Sequence, residues 1–372
     1  MRVLGPTELV EHVHKRGLCV GCGACVGLCP YFLNYKGRTV QLFPCTLIQG
    51  HCFAACPKAE VDLDEISRHH RQRPYNGAPM GDVEEAFAAK AGPKMPAGSF
   101  QGGGVVSALL IYALQEGLIK AAILTGKDEN GPTPRIASHP EEILECATSK
   151  FTVAPTLAAF NRAVSEQISP LGVVGTPCQM TAVAKWRTNP LNRDAFADPV
   201  ALTIGVFCNW GLDQRQLHSF LAERMDLSRI RGMDIPPPPA NVLVVDLGKE
   251  TITLPLDEIK PFIPETCHLC PDMTSEWADL SVGMLEGRPG WNTLLVRTQR
   301  GKDLAAGATA AGLLKTDPVP ESNLVHLGEA AKSKQKRAFM NMNKRGLLNA
   351  SDKNGTALLR VPPDVVRSIL EA

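Results

Sequence analysis

The chain reads as an α/β core joined to a small cysteine-rich α+β module, and three observations carry that reading. Seven of the 12 cysteines fall within the first 56 residues. From residue 99 onward, short apolar runs alternate with stretches of helical periodicity. Gly (32) and Pro (29) punctuate the chain above their usual share, so turns are plentiful. A length of 372 residues holds two or three units of about 150 residues. The expected division is a module at 1–66, a connector at 67–98 and a core at 99–372.

Composition excludes several classes. Lys plus Arg is 39 against 38 for Asp plus Glu, a net charge of +1, so no global field draws the chain to nucleic acid or an anionic membrane. With 44% hydrophobic and 21% charged residues the chain is globular. The longest apolar stretch, 105–122, is cut by Gln115, Glu116 and Lys120, so no transmembrane segment is expected. No secretory or twin-Arg signal is recognisable at the start, and a cytoplasmic protein is expected. Without such a signal, dense cysteine points to metal before disulfides.

Residues 19–30 place Cys19, Cys22, Cys25 and Cys29 in the order C-x2-C-x2-C-x3-C followed by Pro30, the bacterial ferredoxin run for a 4Fe–4S cluster. Three thiolates on one tight loop cap three irons of a cube, and Gly21 and Gly23 let backbone N–H groups approach the sulfurs. A zinc knuckle also uses C-x2-C pairs but not this full order with its proline. A second run, Cys45-x6-Cys52-x3-Cys56-Pro57, has Gln49 where a cysteine belongs and its first cysteine displaced by one. In two-cluster ferredoxins the fourth cysteine of each run serves the other cluster. Cys56 therefore completes the set of Cys19, Cys22 and Cys25. Cys29, Cys45 and Cys52 are left for a second cluster with one ligand unaccounted for, and whether it forms is open.

Beyond the module, the basic run His69–Arg73 reads as a solvated linker. A helix is expected from Val105, then strands at 121–124, 172–174, 201–207, 280–284 and 293–297, with a helix from 177 to about 186. Residues 242–247 and 251–256 read as an antiparallel hairpin, set off by prolines at 236–239. Cys178 and Cys208 follow strands, where ligands collect in open α/β sheets, and Cys267-His268-Leu269-Cys270 adds a C-x2-C pair. Four thiols suffice for a cube or a zinc tetrahedron, though each singly could be a buried hydrophobe. Cys146 reads as core. Gly102, Gly103 and Gly104 open the helix at Val105, where bare N–H groups can meet a phosphate or simply make an interdomain turn. Ser149-Lys150 precedes a further helix, and Lys150 is a cation for a cofactor or an ordinary surface lysine.

Taken together, the 19–30 run, Gly102–Gly104, Ser149-Lys150-Phe151, Gly175-Thr176-Pro177-Cys178-Gln179, Phe207-Cys208 and Cys267-His268-Leu269-Cys270 with the segment 278–283 resemble the beta subunits of deazaflavin-coenzyme-reducing hydrogenases and formate dehydrogenases. That family also contains the plant 7-hydroxymethyl chlorophyll a reductase and a divinyl chlorophyllide reductase. The resemblance implies FAD in the core, lined by Gly102, Gly103, Gly104, Ser107, Ser149 and Lys150, and a core 4Fe–4S cluster on Cys178, Cys208, Cys267 and Cys270. With the module this makes two clusters, a third being left open. Phe151 stands where the family carries Tyr. The implied function is an oxidoreductase subunit that passes electrons between clusters and a soluble hydride carrier, wired to a catalytic or electron-donating subunit. A ferredoxin-dependent reductase of a tetrapyrrole-like substrate and a non-catalytic electron-transfer adaptor are the other readings.

Overall fold

The computed structural model describes residues 2–371 apart from 99, 129–130, 193–195, 238 and 350–355. Ser99 of the glycine-rich turn, at the expected start of the core, and Pro238 of the proline run lie outside the described residues.

An eight-stranded mixed sheet organises the core. Its strands are β1 (Glu85–Ala91), β2 (Ala121–Asp128), β3 (Gly131–Ala137), β4 (Leu171–Gly175), β5 (Val200–Val206), β6 (Leu280–Met284), β7 (Asn292–Val296) and β8 (Leu314–Pro318). Side by side they run β8-β1-β7-β6-β5-β4-β2-β3. The inner pairs β6–β5, β5–β4 and β4–β2 are parallel, and the flanking pairs are antiparallel. Parallel strands are buried on both faces, which is why 172–174 and 201–207 read as continuous apolar runs. Helices Val105–Gln115 and Gln299–Ala310 share one apolar cluster with the sheet, and Thr156–Ser165 and Pro177–Arg187 share another. Thr176 and Gln179 form a capping box with Pro177 at the first helical position, so the Gly-Thr-Pro-Cys-Gln stretch starts its helix at once. Pro132 and Pro134 are tolerated in β3 because it is an edge strand.

Two expectations need correction. Segment 67–98 is no free connector: it finishes the helix Leu63–Arg71 and supplies β1, an interior strand. Its Glu-Ala-Phe-Ala-Ala-Lys-Ala sequence has weak strand propensity, but Ala88 and Ala89 are fully buried between two antiparallel neighbours. The run His69–Arg73 is not wholly solvated either. Arg71 donates to the carbonyls of Glu276 (3.0 Å), Ala278 (2.9 Å) and Arg297 (3.2 Å), and His70 Nε2 bonds to Ala184 O. Ser149 and Lys150 lie in a loop that precedes the helix Thr156–Ser165, in line with the expectation. The expected hairpin is present, as Val242–Asp246 with Thr251–Pro255, and gains a third strand at Gly232–Asp234.

The N-terminal region has a hairpin, Phe32–Tyr35 with Arg38–Gln41, and short helices around it. It is closed by the far end of the chain. Val61–Asp62 pairs in parallel with Leu359–Arg360, and Val365 and Ile369 of helix Pro363–Glu371 join Phe53, Ile66 and Phe339 in one apolar cluster.

Candidate functional site

The first cysteine run is a loop whose glycines serve close packing. Gly21 and Gly23 have φ of +61° and +85°, and a Cβ on Gly23 would meet Pro155 O at 2.5 Å and Ala158 N at 2.8 Å. The loop therefore lies flat on the start of helix Thr156–Ser165. Asn161 on that helix donates to Ala24 O (2.9 Å) and Val26 O (2.8 Å), and Leu157 N–H to Cys22 O (3.0 Å). Backbone donors reach the sulfurs: Gly21 N–H to Cys19 Sγ at 3.4 Å, and the N–H groups of Ala24, Phe53 and Lys58 at Cys22, Cys52 and Cys56. Such N–H···S contacts favour thiolate over thiol.

The thiols sort into three groups by the charges they feel. Cys25 is acted on by Cys19, Cys56 and Cys52, Cys22 by Cys25 and Cys56, and Cys56 by Cys19. Apart from Cys52 these are residues of the first run together with Cys56, the inner set. Cys52 is acted on by Cys29, Cys56 and Cys45, so Cys56 faces both groups of thiols. Cys208 is acted on by Cys178, Cys267 and Cys270, and Cys178 by Cys270 and Cys267. The core set thus comes from the first turn of helix Pro177–Arg187, the end of β5 and the 3-10 turn Glu265–Leu269 with the residue after it. Cys22 also feels Cys178, so the inner and core sets adjoin. Cys146 belongs to none of them and caps helix Pro140–Glu145.

Among the described residues, no three His, Cys, Asp or Glu side chains close on one point as a single ion needs. The thiols lie within range of one another's charge. Burial pushes Cys52 up to about 12 and Cys56 and Cys178 up to about 11, and raises Cys22, Cys25, Cys208 and Cys267. Ligation needs thiolates, so the charge of any bound iron would have to hold these sulfurs deprotonated. The donor set fits iron–sulfur clusters.

Three buried lysines stand among the sulfurs. Lys334, from helix Glu321–Lys344, donates to Cys208 O (2.6 Å) and Asp272 O (2.7 Å). Burial opposes its charge, but Cys270, Cys208 and Asp272 outweigh this and raise its pKa. Lys185 donates to the carbonyls of Cys56 and Ala59, and burial lowers it to about 8 against the pull of Cys56. Lys58 donates to Thr266 O (3.2 Å) and acts on Cys56, Cys178 and Cys267, spanning the inner and core sets. The sequence reading passed over all three. Lys185 had a signal, since it lies seven residues after Cys178 and hence near the same helix face; Lys334 had none.

The residues expected to line FAD are partly gathered. Ser149 N–H donates to Gln101 Oε1 at 2.6 Å, which brings the Ser149-Lys150 loop to the glycine turn. Gly104, at φ +74°, precedes helix Val105–Gln115 without a side-chain cap, and Ser107 is buried in its first turn. The bareness of Gly103 has a packing cause, because a Cβ there would meet Asn292 Oδ1 at 2.6 Å and Ala89 O at 2.9 Å. Lys150 is turned onto the carbonyls of Cys146 (2.6 Å) and Thr148 (2.8 Å), and burial lowers it to about 8. An uncapped helix start with a nearby cation is compatible with a dinucleotide phosphate. Separately, a cavity of about 340 Å³ beside Cys19 is lined by Lys36, Arg38, Asp213 and Glu265 among others.

Thiol groups thus gather beyond the carboxyl ends of the central strands β4 and β5, with a cysteine-rich region added at the N-terminal side. Models of the coenzyme F420 hydrogenase/dehydrogenase beta subunit match residues 86–161 (N-terminal part) and 168–322 (C-terminal part). The chain belongs to this family, whose members are oxidoreductase subunits. It is 31% identical over 247 residues to the coenzyme F420 hydrogenase subunit beta of Methanothermobacter thermautotrophicus, covering 65% of this chain and 87% of that protein. It is 29% identical over 310 residues to the coenzyme F420-dependent sulfite reductase of Methanocaldococcus jannaschii, covering 79% of this chain and 46% of that one. A chain of the F420-reducing NiFe hydrogenase complex from Methanosarcina barkeri superposes with a TM-score of 0.66 at 27% identity, covering 75% of this chain and 97% of that chain. Among the described residues no helix is long and apolar enough to cross a membrane.

Proposed function

We propose that this chain is an iron–sulfur flavoprotein subunit that exchanges electrons with a soluble hydride carrier, a deazaflavin coenzyme such as the F420 named in its relatives, inside a hydrogenase- or formate dehydrogenase-like complex. The observation that carries the reading is the meeting of Cys178, Cys208, Cys267 and Cys270 from three separate segments, next to the inner set of Cys19, Cys22, Cys25 and Cys56. These eight residues hold two 4Fe–4S clusters, and residues 1–66 act as a ferredoxin-like module in front of the core. FAD sits at Gly102, Gly103, Gly104 and Ser107 with Ser149 and Lys150 alongside, and supplies the exchange between hydride pairs and single electrons. The chain's own work is to order the sulfurs, direct N–H groups and buried ammonium charges at them, and keep water away. The partner is a catalytic or electron-donating subunit, in keeping with relatives that work within multi-subunit complexes.

The test is anaerobic purification followed by flavin, iron and sulfide quantitation, with reduced deazaflavin, NADH, NADPH and reduced ferredoxin then offered as donors. Bound flavin, about eight or more irons per chain and rapid flavin bleaching by the reduced deazaflavin are expected. A flavin-free chain, or one that only ferredoxin reduces, sinks the hydride-carrier assignment.

A further inference from the structure

The hairpin Phe32–Tyr35 with Arg38–Gln41 has two unlike faces. Residues opposite one another in an antiparallel pair share a side, so the register sorts them. Phe32, opposite Gln41, and Thr39, opposite Asn34, are buried, and Thr39 Oγ1 lies 3.9 Å from Cys25 Sγ. This inner face closes over the cysteine loop. The outer face carries Leu33 opposite Val40 and Tyr35 opposite Arg38. Leu42 N–H donates to Tyr31 O (2.8 Å), which continues the ladder and sets Tyr31 opposite Leu42 on the same side.

A hairpin face left to water is polar as a rule, and this one is apolar apart from Arg38. Phe32 joins an apolar cluster, but none of Tyr31, Leu33, Tyr35, Val40 and Leu42 does so among the described residues. The loop that follows extends the patch: Phe43 meets the edge of the Tyr31 ring at 6.4 Å, and Phe43, Leu47 and Ile48 are exposed, Ile48 to 87%. Thr7 Oγ1 to Cys45 O (3.4 Å) and Gly50 N–H to Leu4 O (3.0 Å) hold that loop. Of the ten large hydrophobic residues exposed among the described ones, five fall between 35 and 48, a concentration that scattered surface residues do not show.

Charge marks the same region. From 12 to 59 the chain has no Asp or Glu against five Lys and Arg, although its net charge is only +1. Lys36 is exposed beside the Tyr35 ring, and Arg38 is exposed with a 3.0 Å ion pair to the largely buried Asp213. His14 and Gly17, which flank exposed Arg16 and the Glu11-paired Lys15, line one cavity with Lys36 and Arg38. Glu8, near the far end of the loop, is engaged by Gly5 N–H (3.0 Å). An apolar patch with a basic rim complements an apolar patch with an acidic one.

We propose that this outer face and the loop 42–48 dock an acidic protein carrying its own one-electron redox centre, a ferredoxin-type carrier, in a transient complex additional to the subunit contacts proposed above. This rests on the reading of residues 1–66 as a cluster-bearing module. Four-residue strands give a face about 14 Å long, and with the loop an area on the order of a few hundred Å². Redox encounters work on that scale, burying less than about 1,200 Å² in all, whereas permanent subunits bury more. The docked carrier is separated from Cys25 by the hairpin alone. Each encounter passes one electron: the carrier is oxidised, this chain is reduced, and no bond is made or broken.

The test uses the full chain, purified anaerobically, and a bacterial two-cluster ferredoxin of net negative charge as the probe. Calorimetric titration measures binding of the oxidised ferredoxin, and stopped flow follows oxidation of the reduced form. Association with the wild-type chain should weaken at least about tenfold between about 50 and 300 mM salt. Lys36→Glu should weaken it about tenfold at low salt and little at high salt. Leu42→Ser/Phe43→Ser should weaken it about tenfold at both. Leu118→Ser, at an exposed apolar residue elsewhere, should match the wild type. Flavin bleaching by reduced deazaflavin should be unchanged in every variant. Wild-type association in both surface variants overturns the proposal, as does a wild-type chain that binds no ferredoxin at any salt. A concentration-dependent dimer that Leu42→Ser/Phe43→Ser abolishes overturns it in favour of a second copy of this chain. A chain that binds the ferredoxin in this pattern yet contains no iron sinks the cluster reading and leaves the docking face standing.

Discussion

The inner and core thiol sets reach a similar chemical arrangement by opposite routes. The inner set takes three of its four cysteines from seven consecutive residues, with Gly21 and Gly23 turning the backbone so that its own N–H groups meet sulfur. The core set draws on residues up to 92 positions apart, from Cys178 to Cys270, and its supporting cation, Lys334, lies 64 residues further on. A local loop preorganises a site cheaply in chain entropy, whereas a distributed site forms only when the sheet is complete. The first should tolerate damage to the sheet better than the second.

The largest expected effect tests that difference directly. Cys267→Ser/Cys270→Ser should lose about four irons per chain, loosen bound flavin and stop cluster-to-flavin electron flow, while the EPR signal of the inner set remains. Wild-type iron content and transfer in that variant would make the core thiols mere packing. Next comes Lys334→Met, which strands the carbonyls of Cys208 and Asp272 and removes a buried positive charge from the core set. A loss of about 2 kcal/mol in urea unfolding is expected, with a lower midpoint potential for the core cluster alone in an EPR-monitored redox titration. Equal shifts in both clusters would show that the two sets are not electrostatically distinct.

Arg360→Ala probes the closure of the N-terminal region by the end of the chain. Arg360 binds both carboxylate oxygens of Glu60, at 2.5 and 3.0 Å, and Glu60 is almost wholly buried. Because Arg360 itself is a third exposed, the loss is set at about 2 kcal/mol, below that of a fully buried pair. Hydrogen exchange should accelerate at 51–66 and not in β4 or β5. The smallest effect concerns acid. Burial lowers His70 to about 4, so the unfolded chain takes up its proton first as pH falls. The stability conferred by neutral His70 is whole above pH 6.5 and drains away towards pH 4. His70→Gln should flatten that part of the stability–pH curve, by less than the loss in Arg360→Ala, measured by chemical denaturation at successive pH values.

Much of the fold was readable without coordinates. The parallel inner strands appear as apolar runs because both faces are buried, and the helix after Thr176 is marked by its cap and proline. Spacing proposes Cys56 as the partner of Cys19, Cys22 and Cys25, since a tight loop limits which sulfurs can meet. Strand β1 was hidden, because alanine, glutamate and lysine favour other conformations and only pairing with β7 and β8 extends them. Arg71 and Lys334 were equally illegible: a charged side chain is drawn inside only where distant backbone carbonyls converge to receive it. Local spacing encodes what one loop can reach, and the convergence of segments far apart in sequence is settled by the packing of the sheet and its helices.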